Sequence, residues 1–476
     1  MSAALQNISA DLISKLTAQQ AWHYKILVKS DLPDRIELYV GQNHHSYDRD
    51  AELEIILGKK LIVELVKDEE IENALSKYYK KQITDKRINN LQYTGNQDEF
   101  IHKLIAEAKK LKSSDIHIET YEENCRIRLR IDGKLMERFR IDKKEYPGII
   151  NKIKIMSNLD ISEKRLPQDG RIFFASGNDK FDIRISILPT LHGEKVVMRL
   201  LNNDATEVDL FKLGFSDVDL SNYLEAIRRP NGILLISGPT GSGKTTTLYA
   251  TLKLLNNDDR NITTIEDPIE YTLTGINQVQ LKENIGFNFP AALRTFLRQD
   301  PNIIMVGEIR DAETANMAIR ASLTGHLVLS TIHTNSAWGT VARLIDMGIP
   351  SFLVADTLNT TIAQRLIRLL CPVCKQKIKF DDSLYPRQFI PFRKIYHHFI
   401  AVGCNSCYQT GYQGRKAVYE VIPIDQELSE NIKSNNYRVN ELLKHRGIKT
   451  LAENAFELLC DGDTTMDEIF PLLYSF

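Results

Sequence analysis

The feature that most constrains the fold of this chain is a glycine-rich sequence in its middle, residues 238–246. It consists of Gly238, Pro239, Thr240, Gly241, Ser242, Gly243, Lys244, Thr245 and Thr246. An apolar run at 233–236 precedes it and a helical pattern follows it, which is the setting in which the G-x-x-x-x-G-K-[ST] pattern binds phosphate. The sequence therefore predicts an α/β domain with a parallel sheet and a nucleotide at this loop.

The residues of this loop also have predicted roles. Glycines let the backbone approach an anion, and the N–H groups at a helix N-terminus favour negative charge. Lys244 would bridge the β- and γ-phosphates of ATP, and the Thr245 hydroxyl would bind Mg²⁺. The alternative is a glycine-rich turn without a ligand, which the flanking strand and helix disfavour.

Hydrolysis of a bound nucleotide needs a group that orients water. The apolar strand sequence 303–306 runs into Glu308, at the carboxyl end of a predicted parallel strand, where such sheets bind their ligands. We expect Glu308 to orient the attacking water, and a salt bridge to Arg310 is its structural alternative.

Two further groups of polar residues flank neighbouring strands. The strand sequence 262–265 ends in three carboxylates, Glu266, Asp267 and Glu270. Carboxylate oxygens suit Mg²⁺ and its waters, although an acidic turn in solvent has the same sequence. His326 precedes and His333 follows the strand sequence 327–331, and either could sense the γ-phosphate or serve the fold.

Length and composition set the broad class. A chain of 476 residues is longer than one core usually organises, so we expect about two to four domains. The 61 Lys and Arg residues balance 62 Asp and Glu residues, which does not favour a nucleic-acid partner. The first fifteen residues lack a secretion signal, and no apolar stretch is long enough to span a membrane, so we expect a cytoplasmic protein.

The first part of the chain predicts a small domain. Residues 1–92 mix short apolar runs with turn signals and predict a small α/β domain with a helix over 69–80. The polar sequence 90–98 then predicts a linker.

The next unit predicts an antiparallel sheet with helices on one face, extending to Leu201. Apolar residues at helical spacing predict a helix over 100–111, and alternation predicts strands at 115–119 and 125–131. Asp132-Gly133 is suited to a tight hairpin turn. His117 is interpreted as a histidine on the strand surface.

From residue 202 onward the pattern changes. Residues 202–208 predict a linker, and from Gly232 short buried strands alternate with helical segments, as in a parallel sheet with crossover helices. The chain after Tyr419 predicts a mostly helical tail that contains residues 442–459.

Four of the six cysteines form two C-x-x-C pairs: Cys371, Cys374, Cys404 and Cys407. Two thiolate pairs suit tetrahedral Zn²⁺ with no vacant position, which indicates a structural site. A redox pair or separate thiols are the alternatives. The segment between the pairs carries basic residues among aromatic ones, and it could contact a membrane or membrane protein, face solvent or bind nucleic acid.

Together these stretches resemble the secretion ATPase family, the motors of type II secretion and type IV pilus assembly. The resemblance covers about residues 95–425. It rests on the phosphate loop (the Walker A motif), an acidic box at 266–270, a Walker B-like sequence at 303–311 and a histidine box at 324–335, in the order of the family.

This resemblance implies a fold and an assembly. The expected fold is a PAS-like α+β unit followed by a RecA-like P-loop ATPase domain, assembled as a homo-hexamer. It also implies that two arginines of the preceding sheet unit, Arg171 and Arg184, approach the nucleotide as the two domains close. A structural role in the sheet stays open for both arginines.

The resemblance further implies partners. Family members dock their first domain on a membrane-bound partner and move an inner-membrane platform protein, with which the cysteine module is associated. Pilus retraction motors generally lack this module, so assembly or secretion is favoured over retraction. We expect a cytoplasmic protein, peripherally associated with the inner membrane through these partners, and no nucleic-acid partner.

The predicted domains are a partner-docking domain at 1–92, a PAS-like domain at 93–203, an ATPase domain at 204–370, a zinc module at 371–415 and a helical region at 416–476. Two other functions stay open: a nucleic-acid translocase with the same ATPase domain, and a nucleotide-regulated scaffold with negligible turnover. The sequence does not separate type II secretion from pilus assembly.

Overall fold

The structure is a computed structural model that describes residues 8, 10–13, 15–79, 96–176, 179–201 and 209–474. The chain divides into two compact units, residues 1–91 and 92–476. The predicted linker 202–208 lies outside the described residues, as does most of the predicted linker 90–98.

The first unit combines a small mixed sheet with short helices. Its elements are α1 (Ala10–Ile13), α2 (Ala18–Tyr24), β1 (Ile26–Asp31), β2 (Arg35–Gly41), α3 (Tyr47–Leu57), β3 (Lys60–Val66) and α4 (Asp68–Tyr78). Strand β2 lies in the centre, antiparallel to β1 and parallel to β3. The predicted helix over 69–80 is confirmed as α4, because Ile71, Ala74 and Leu75 are fully buried on one face.

The second unit begins with a six-stranded antiparallel sheet in the order β6-β5-β4-β9-β8-β7. Its elements are α5 (Gln97–Lys110), β4 (Asp115–Thr120), β5 (Cys125–Ile131), β6 (Lys134–Ile141), α6 (Tyr146–Met156), β7 (Gln168–Ser176), β8 (Asp179–Thr190) and β9 (Gly193–Leu201). The predicted helix and both predicted strands are confirmed. Asp132 and Gly133 both have positive φ, 47° and 84°, as a two-residue hairpin turn between right-twisted strands requires.

The interpretation of His117 as a surface histidine is wrong. Its side chain is only 8% exposed, and burial lowers its pKa. His117 shares one face of β4 with Asp115 and Glu119. These two carboxylates form ion pairs with long side chains of neighbouring strands: Arg126, Arg128, Arg130, Lys195 and Arg199. The paired side chains cover this face, which the alternation of β4 alone does not reveal.

The rest of the unit is built on a seven-stranded sheet in the order β12-β11-β13-β14-β10-β15-β18. Its strands, with a separate β16–β17 pair, are β10 (Gly232–Ser237), β11 (Ile262–Glu266), β12 (Asn277–Gln280), β13 (Ile303–Val306), β14 (Leu327–Ile332), β15 (Leu358–Leu370), β16 (Gln376–Lys379), β17 (His397–Ile400) and β18 (Tyr412–Pro423). The helices are α7 (Asp217–Arg228), α8 (Lys244–Leu255), α9 (Phe289–Phe296), α10 (Ala312–Leu323), α11 (Gly339–Asp346), α12 (Ser351–Thr357), α13 (Gln426–Lys433), α14 (Asn440–His445), α15 (Leu451–Cys460) and α16 (Met466–Leu473).

The central strands of this sheet are parallel, as predicted. Strand β14 pairs in parallel with both β10 and β13, and every residue of these three strands is buried. Apolar cores cover the sheet on its two faces, which explains the continuous apolar runs of the strands. The parallel α/β fold is therefore confirmed.

The C-terminal region departs from the prediction at its start. Strand β18 extends the sheet antiparallel to β15, so the helical region begins at Gln426, later than predicted. The predicted helical segment 442–459 is confirmed and consists of two helices, α14 and α15. Gly447 has φ +69° between them, and Thr450 begins α15 with a capping box, so local turn chemistry divides the helical pattern.

No helix among the described residues is long and apolar enough to cross a lipid bilayer. The longest of them, α5, has 14 residues, whereas a membrane-spanning helix needs about 20.

Candidate active site

The phosphate loop joins the buried strand β10 to the N-terminus of α8. Gly238 has φ +151°, and a Cβ atom there would lie 2.6 Å from both the Gln364 carbonyl oxygen and the Ser242 Oγ. Gly243, at the start of α8, has φ +89°. The loop therefore needs glycine at both positions to fold back over the sheet edge with its N–H groups at the helix N-terminus.

Lys244 is the buried cation of this loop. Its Nζ donates hydrogen bonds to the carbonyl oxygens of Gly238 at 2.8 Å and Pro239 at 3.1 Å. Burial lowers the pKa of Lys244, Glu308 opposes this effect and Arg365 adds to it. The ammonium group thus lies inside the loop, where its hydrogen-bond acceptors are neutral carbonyl oxygens. Phosphate oxygens would replace them as stronger acceptors, because they carry negative charge.

Glu308 follows β13, whose carboxyl end lies at the same sheet edge as the loop. Its carboxylate is 2.6 Å from Nη2 of Arg310 and 3.5 Å from Nε2 of His333. The salt bridge to Arg310 was its predicted structural alternative, and it is present. The structure therefore brings Glu308 and His333 together near Lys244.

His326 lies elsewhere. It precedes β14, and its backbone carbonyl accepts the N–H of Gly232, the first residue of β10. A strand of six residues is about 20 Å long, so His326 is at the opposite end of the sheet from the phosphate loop. Its Nδ1 is 2.8 Å from the Ala321 carbonyl oxygen at the end of α10. Its expected role at the γ-phosphate is therefore corrected, because only His333 is at the loop edge.

The three carboxylates of the acidic box have different surroundings. Glu266 is 3% exposed and accepts hydrogen bonds from the Thr264 hydroxyl at 2.6 Å, from the Gln278 amide at 3.2 Å and from the Tyr249 hydroxyl. Burial raises the pKa of Glu266, and these three hydrogen bonds partly oppose the rise. Asp267 is exposed and Glu270 is partly exposed. Glu266 therefore stabilises the acidic box through buried hydrogen bonds, whereas the carboxylates of Asp267 and Glu270 are accessible to solvent.

Arg184 lies in β8 and reaches the acidic box from the preceding sheet. Its Nη2 donates to the carbonyl oxygen of Ile269 at 2.8 Å, and its Nη1 is 3.5 Å from the Glu270 carboxylate. Arg171 is directly opposite Arg184 on β7. Both arginines line a cavity of about 510 Å³. One predicted arginine thus contacts the predicted acidic box, and the other lies on the same face of the sheet.

Strand β15 was not recognised from the sequence, and it supplies two residues beside the loop. The Gln364 side chain accepts a hydrogen bond from the Thr247 hydroxyl at 3.0 Å. Arg365 lies with Nη1 3.0 Å from the position that a Cβ of Gly238 would occupy. The β-branched run Thr360, Thr361 and Ile362 was the available signal for this strand.

The four predicted cysteine ligands come together after β15. Their sulfur atoms all lie within 4.8 Å of one another, with Cys371–Cys404 at 3.9 Å and Cys374–Cys407 at 3.7 Å. A Zn²⁺ ion with four Zn–S bonds of about 2.3 Å places its sulfur atoms about 3.8 Å apart. The cluster therefore has the size and the donor set of a tetrahedral metal site.

Backbone groups support thiolate character in this cluster. The N–H groups of Cys404 and Gly411 each point at the Cys407 sulfur from 3.2 Å. Burial raises the pKa of Cys407, but these hydrogen bonds and those of the neighbouring thiols outweigh it and bring the pKa to about 7. Burial and the hydrogen bonds with the other three thiols raise the pKa of Cys374 to about 12, so Cys407 is the thiol of this pair that ionises first.

Sequence comparison decides the family. Residues 90–471 match the family model described as type II/IV secretion system protein. The chain belongs to the type II/IV secretion system protein family. The resemblance that the motifs indicate is thus confirmed, and the match includes the antiparallel sheet, the ATPase-like sheet and the cysteine cluster.

Relatives of this secretion system protein are named as ATPases. The type IV pilus assembly ATPase PilB of Myxococcus xanthus is 49% identical over 377 residues, which are 78% of this chain and 66% of PilB. The type II secretion system ATPase E of Vibrio cholerae is 44% identical over 379 residues, which are 78% of this chain and 74% of that protein.

A solved relative shares the fold. The crystal structure of the pilus retraction motor PilT with bound ADP matches with a TM-score of 0.53 and 25% identity, over 78% of this chain and 96% of PilT. The mixed α/β architecture is therefore that of secretion and pilus motors.

The contacts of Glu266 lead to a stability prediction. We expect Tyr249→Phe to lower the free energy of unfolding by about 1–3 kcal/mol, because it removes one of the three hydrogen-bond donors to a buried carboxylate. Urea unfolding followed by circular dichroism measures the change.

Tyr271→Phe is the matched control. The Tyr271 ring lies 4.5 Å from the Tyr249 ring, and its buried hydroxyl has no hydrogen-bond partner among the described residues. Its removal should leave stability unchanged or increase it. Equal losses in both variants would contradict the assigned role of the Tyr249 hydroxyl.

Proposed function

We propose that this chain is a Mg²⁺-dependent ATPase motor that powers pilus or pseudopilus assembly in type IV pilus biogenesis or type II secretion. The observation that carries the proposal is the convergence of Lys244, Glu308 and His333 at one edge of a parallel sheet in a member of this family. A cation for phosphate beside a carboxylate for water is the minimal arrangement for hydrolysis.

Each group at this edge has a proposed role in the reaction. The loop N–H groups and Lys244 bind the β- and γ-phosphates. Glu308 orients the attacking water, after exchanging its contact with Arg310. His333 faces Glu308 and senses the γ-phosphate.

The residues present also suit Mg²⁺. Thr245 follows Lys244 in the first turn of α8, and Asp267 and Glu270 offer accessible carboxylates for the ion and its waters. The bound ion would neutralise charge on the phosphates. Glu266 holds the acidic box in place through its three internal hydrogen bonds.

Arg184 and Arg171 are proposed to neutralise the charge of the transition state. An arginine in this position accelerates phosphoryl transfer by about 1,000-fold or more. Arg184 already contacts Glu270 and the Ile269 carbonyl. Phosphate oxygens would replace these two contacts when the antiparallel sheet closes on the ATPase domain.

We propose that the cysteine cluster binds Zn²⁺ as a structural ion. The segment between the cysteine pairs has few elements, and its aromatic residues Tyr385, Phe389 and Phe392 pack around Phe456 of α15. A closed four-thiolate site stabilises such a loop by ordering it. Among the basic residues of this segment, Lys375 donates to the Gly462 carbonyl, whereas Lys377, Arg387 and Arg393 are exposed. These exposed cations would contact a platform protein or acidic lipid.

The proposed assembly follows the family. Residues 1–92 form a docking domain for a membrane-bound partner, 93–203 a PAS-like domain, 204–370 a RecA-like domain, 371–415 the zinc module and 416–476 the C-terminal region. Six copies would form a ring in the cytoplasm, associated with an inner-membrane platform protein. Domain motion driven by ATP would then move the platform.

The role of Glu308 has a direct test. We expect Glu308→Gln to lower kcat for ATP hydrolysis by about 100-fold, because the amide cannot polarise the attacking water, and to leave the Kd for ATP nearly unchanged. Steady-state phosphate release and nucleotide titration measure the two quantities.

Lys244→Ala is the contrasting variant, since it removes the phosphate cation and should weaken ATP binding itself. Wild-type turnover in Glu308→Gln would remove Glu308 from this role. Turnover that rises with added DNA or RNA would favour a translocase, and pilus or secretion activity in Lys244→Ala cells would favour a scaffold.

The metal site has its own prediction. The purified chain should contain about one Zn²⁺, and Cys374→Ser should lose it and unfold the module at a lower temperature. Elemental analysis and differential scanning calorimetry check both changes. Cys125→Ser is the control, because Cys125 is buried in β5 away from the cluster and its replacement should keep the metal. Equal metal content in all three proteins would contradict the site.

A further inference from the structure

Glu420 is a buried carboxylate outside the phosphate loop, the acidic box, the Walker B-like sequence and the histidine box. It lies in β18, is 6% exposed, and has no lysine or arginine within ion-pair distance among the described residues. Its Oε1 accepts the backbone N–H of Ala337 at 2.9 Å, and its Oε2 accepts the backbone N–H of Leu451 at 3.2 Å. Burial raises its pKa, while these N–H groups and the charge of Arg365 oppose the rise. The contacts of this buried carboxylate therefore hold two backbone segments, one at Ala337 and one at Leu451.

One of these partners belongs to the loop that carries His333. This loop, residues 333–338, connects β14 to α11. Three side chains from adjacent strands bind three successive residues of the loop. Arg365 of β15 donates to the Asn335 carbonyl at 3.0 Å, Ser237 of β10 donates to the Ser336 carbonyl at 3.4 Å, and Glu420 accepts from Ala337.

Of the three contacts, the one to Glu420 is the most constrained. It is short, buried and made to an ionisable acceptor, and such hydrogen bonds are stronger than neutral ones. The contact of Ser237 is long, and Arg365 is only half-buried. The loop is thus fixed at its first residue by β14 and near its last residue by Glu420. His333 lies at the start of this fixed segment, 3.5 Å from Glu308.

We propose that Glu420 is a positioning residue for ATP hydrolysis, whose carboxylate holds the loop 333–338 so that His333 stays beside Glu308. The proposal rests on the proposed function, in which Glu308 orients water. The competing explanation is purely structural, since Glu420 also lies at the N-terminus of α15, where a negative charge is favourable.

Glu420→Gln separates these explanations. The amide has the same shape but only one acceptor, so its NH₂ group must face one of the two backbone N–H groups. We expect kcat to fall about tenfold while the Kd for ATP changes less than about twofold. Asp219→Asn is the matched control, because Asp219 is a buried carboxylate in the first turn of α7 and does not contact the loop. Its kcat should equal that of the wild type.

A double-mutant cycle tests whether Glu420 acts through His333. If it does, Glu420→Gln should lower kcat in the native background but have little further effect in His333→Ala. Independent, multiplicative losses would overturn the proposal, as would wild-type kcat in Glu420→Gln. If Glu308→Gln and His333→Ala both keep wild-type turnover, the proposed function fails instead, and this result is distinct from either outcome of the cycle.

Trp338 gives a readout of the loop that does not depend on turnover. It follows Ala337, its Nε1 donates to the Tyr437 carbonyl at 3.0 Å, and the only other tryptophan of the chain is Trp22. In a Trp22→Phe background, Glu420→Gln should increase acrylamide quenching of Trp338 fluorescence, and Asp219→Asn should not. Unchanged quenching would overturn the proposal.

Folding is checked by thermal unfolding of each variant. Glu420→Asp keeps the charge near α15 but shortens the side chain, so it should remain folded and show a smaller loss of kcat. If both Glu420 variants fail to fold, the carboxylate serves stability alone and the positioning role is wrong.

Discussion

The parallel alignment of three buried strands is the constraint on which the rest of the site depends. The register pairs Ser237 with Ile332 and Val306 with Ser330, so β10, β14 and β13 end at the same edge of the sheet. The segments that follow these strands therefore emerge side by side. They carry the phosphate loop, His333 and Glu308, which are far apart in the sequence but meet at the carboxyl ends of parallel strands.

The charges at this edge are arranged for an anionic ligand. Lys244 and Arg365 both lie close to Gly238, and both donate to neutral carbonyl oxygens. Two partly buried cations near each other are electrostatically unfavourable, and a polyanion between them relieves this repulsion. Glu308, the nearby carboxylate, makes its own contacts with Arg310 and His333. Phosphate oxygens of a nucleotide would replace the carbonyl oxygens that Lys244 and Arg365 bind in this structure.

Polar contacts also connect the antiparallel sheet and the C-terminal region to the ATPase sheet. Arg184 reaches the acidic box, and Asp132, at the tip of a hairpin, accepts the N–H of Gly414 at 3.0 Å beyond the last cysteine pair. Glu420 connects the loop 333–338 to the N-terminus of α15 through two hydrogen bonds. Phe456 of α15 in turn packs against aromatic residues of the cysteine module. Polar side chains therefore connect these three parts of the second unit.

The sequence by itself determined the phosphate loop, the parallel strands, the hairpin at Asp132-Gly133 and the four cysteines. These features depend on local rules: a glycine at positive φ, a continuous apolar run, or two thiols on one turn. The position of Glu308 at the carboxyl end of a strand was also predictable, because the apolar strand sequence before it is recognisable. Cysteine spacing was sufficient because each C-x-x-C turn brings its two sulfur atoms together without help from the rest of the chain.

Only the tertiary structure decided which polar residues share a surface. It placed His326 and His333 at opposite ends of one strand, buried His117 beneath ion pairs from neighbouring strands, and turned Glu266 inward to Tyr249. It also revealed β15 and β18, which supply Arg365 and Glu420. Such placements depend on pairings between distant strands, and these are set by the packing of the whole sheet, which a local pattern does not contain.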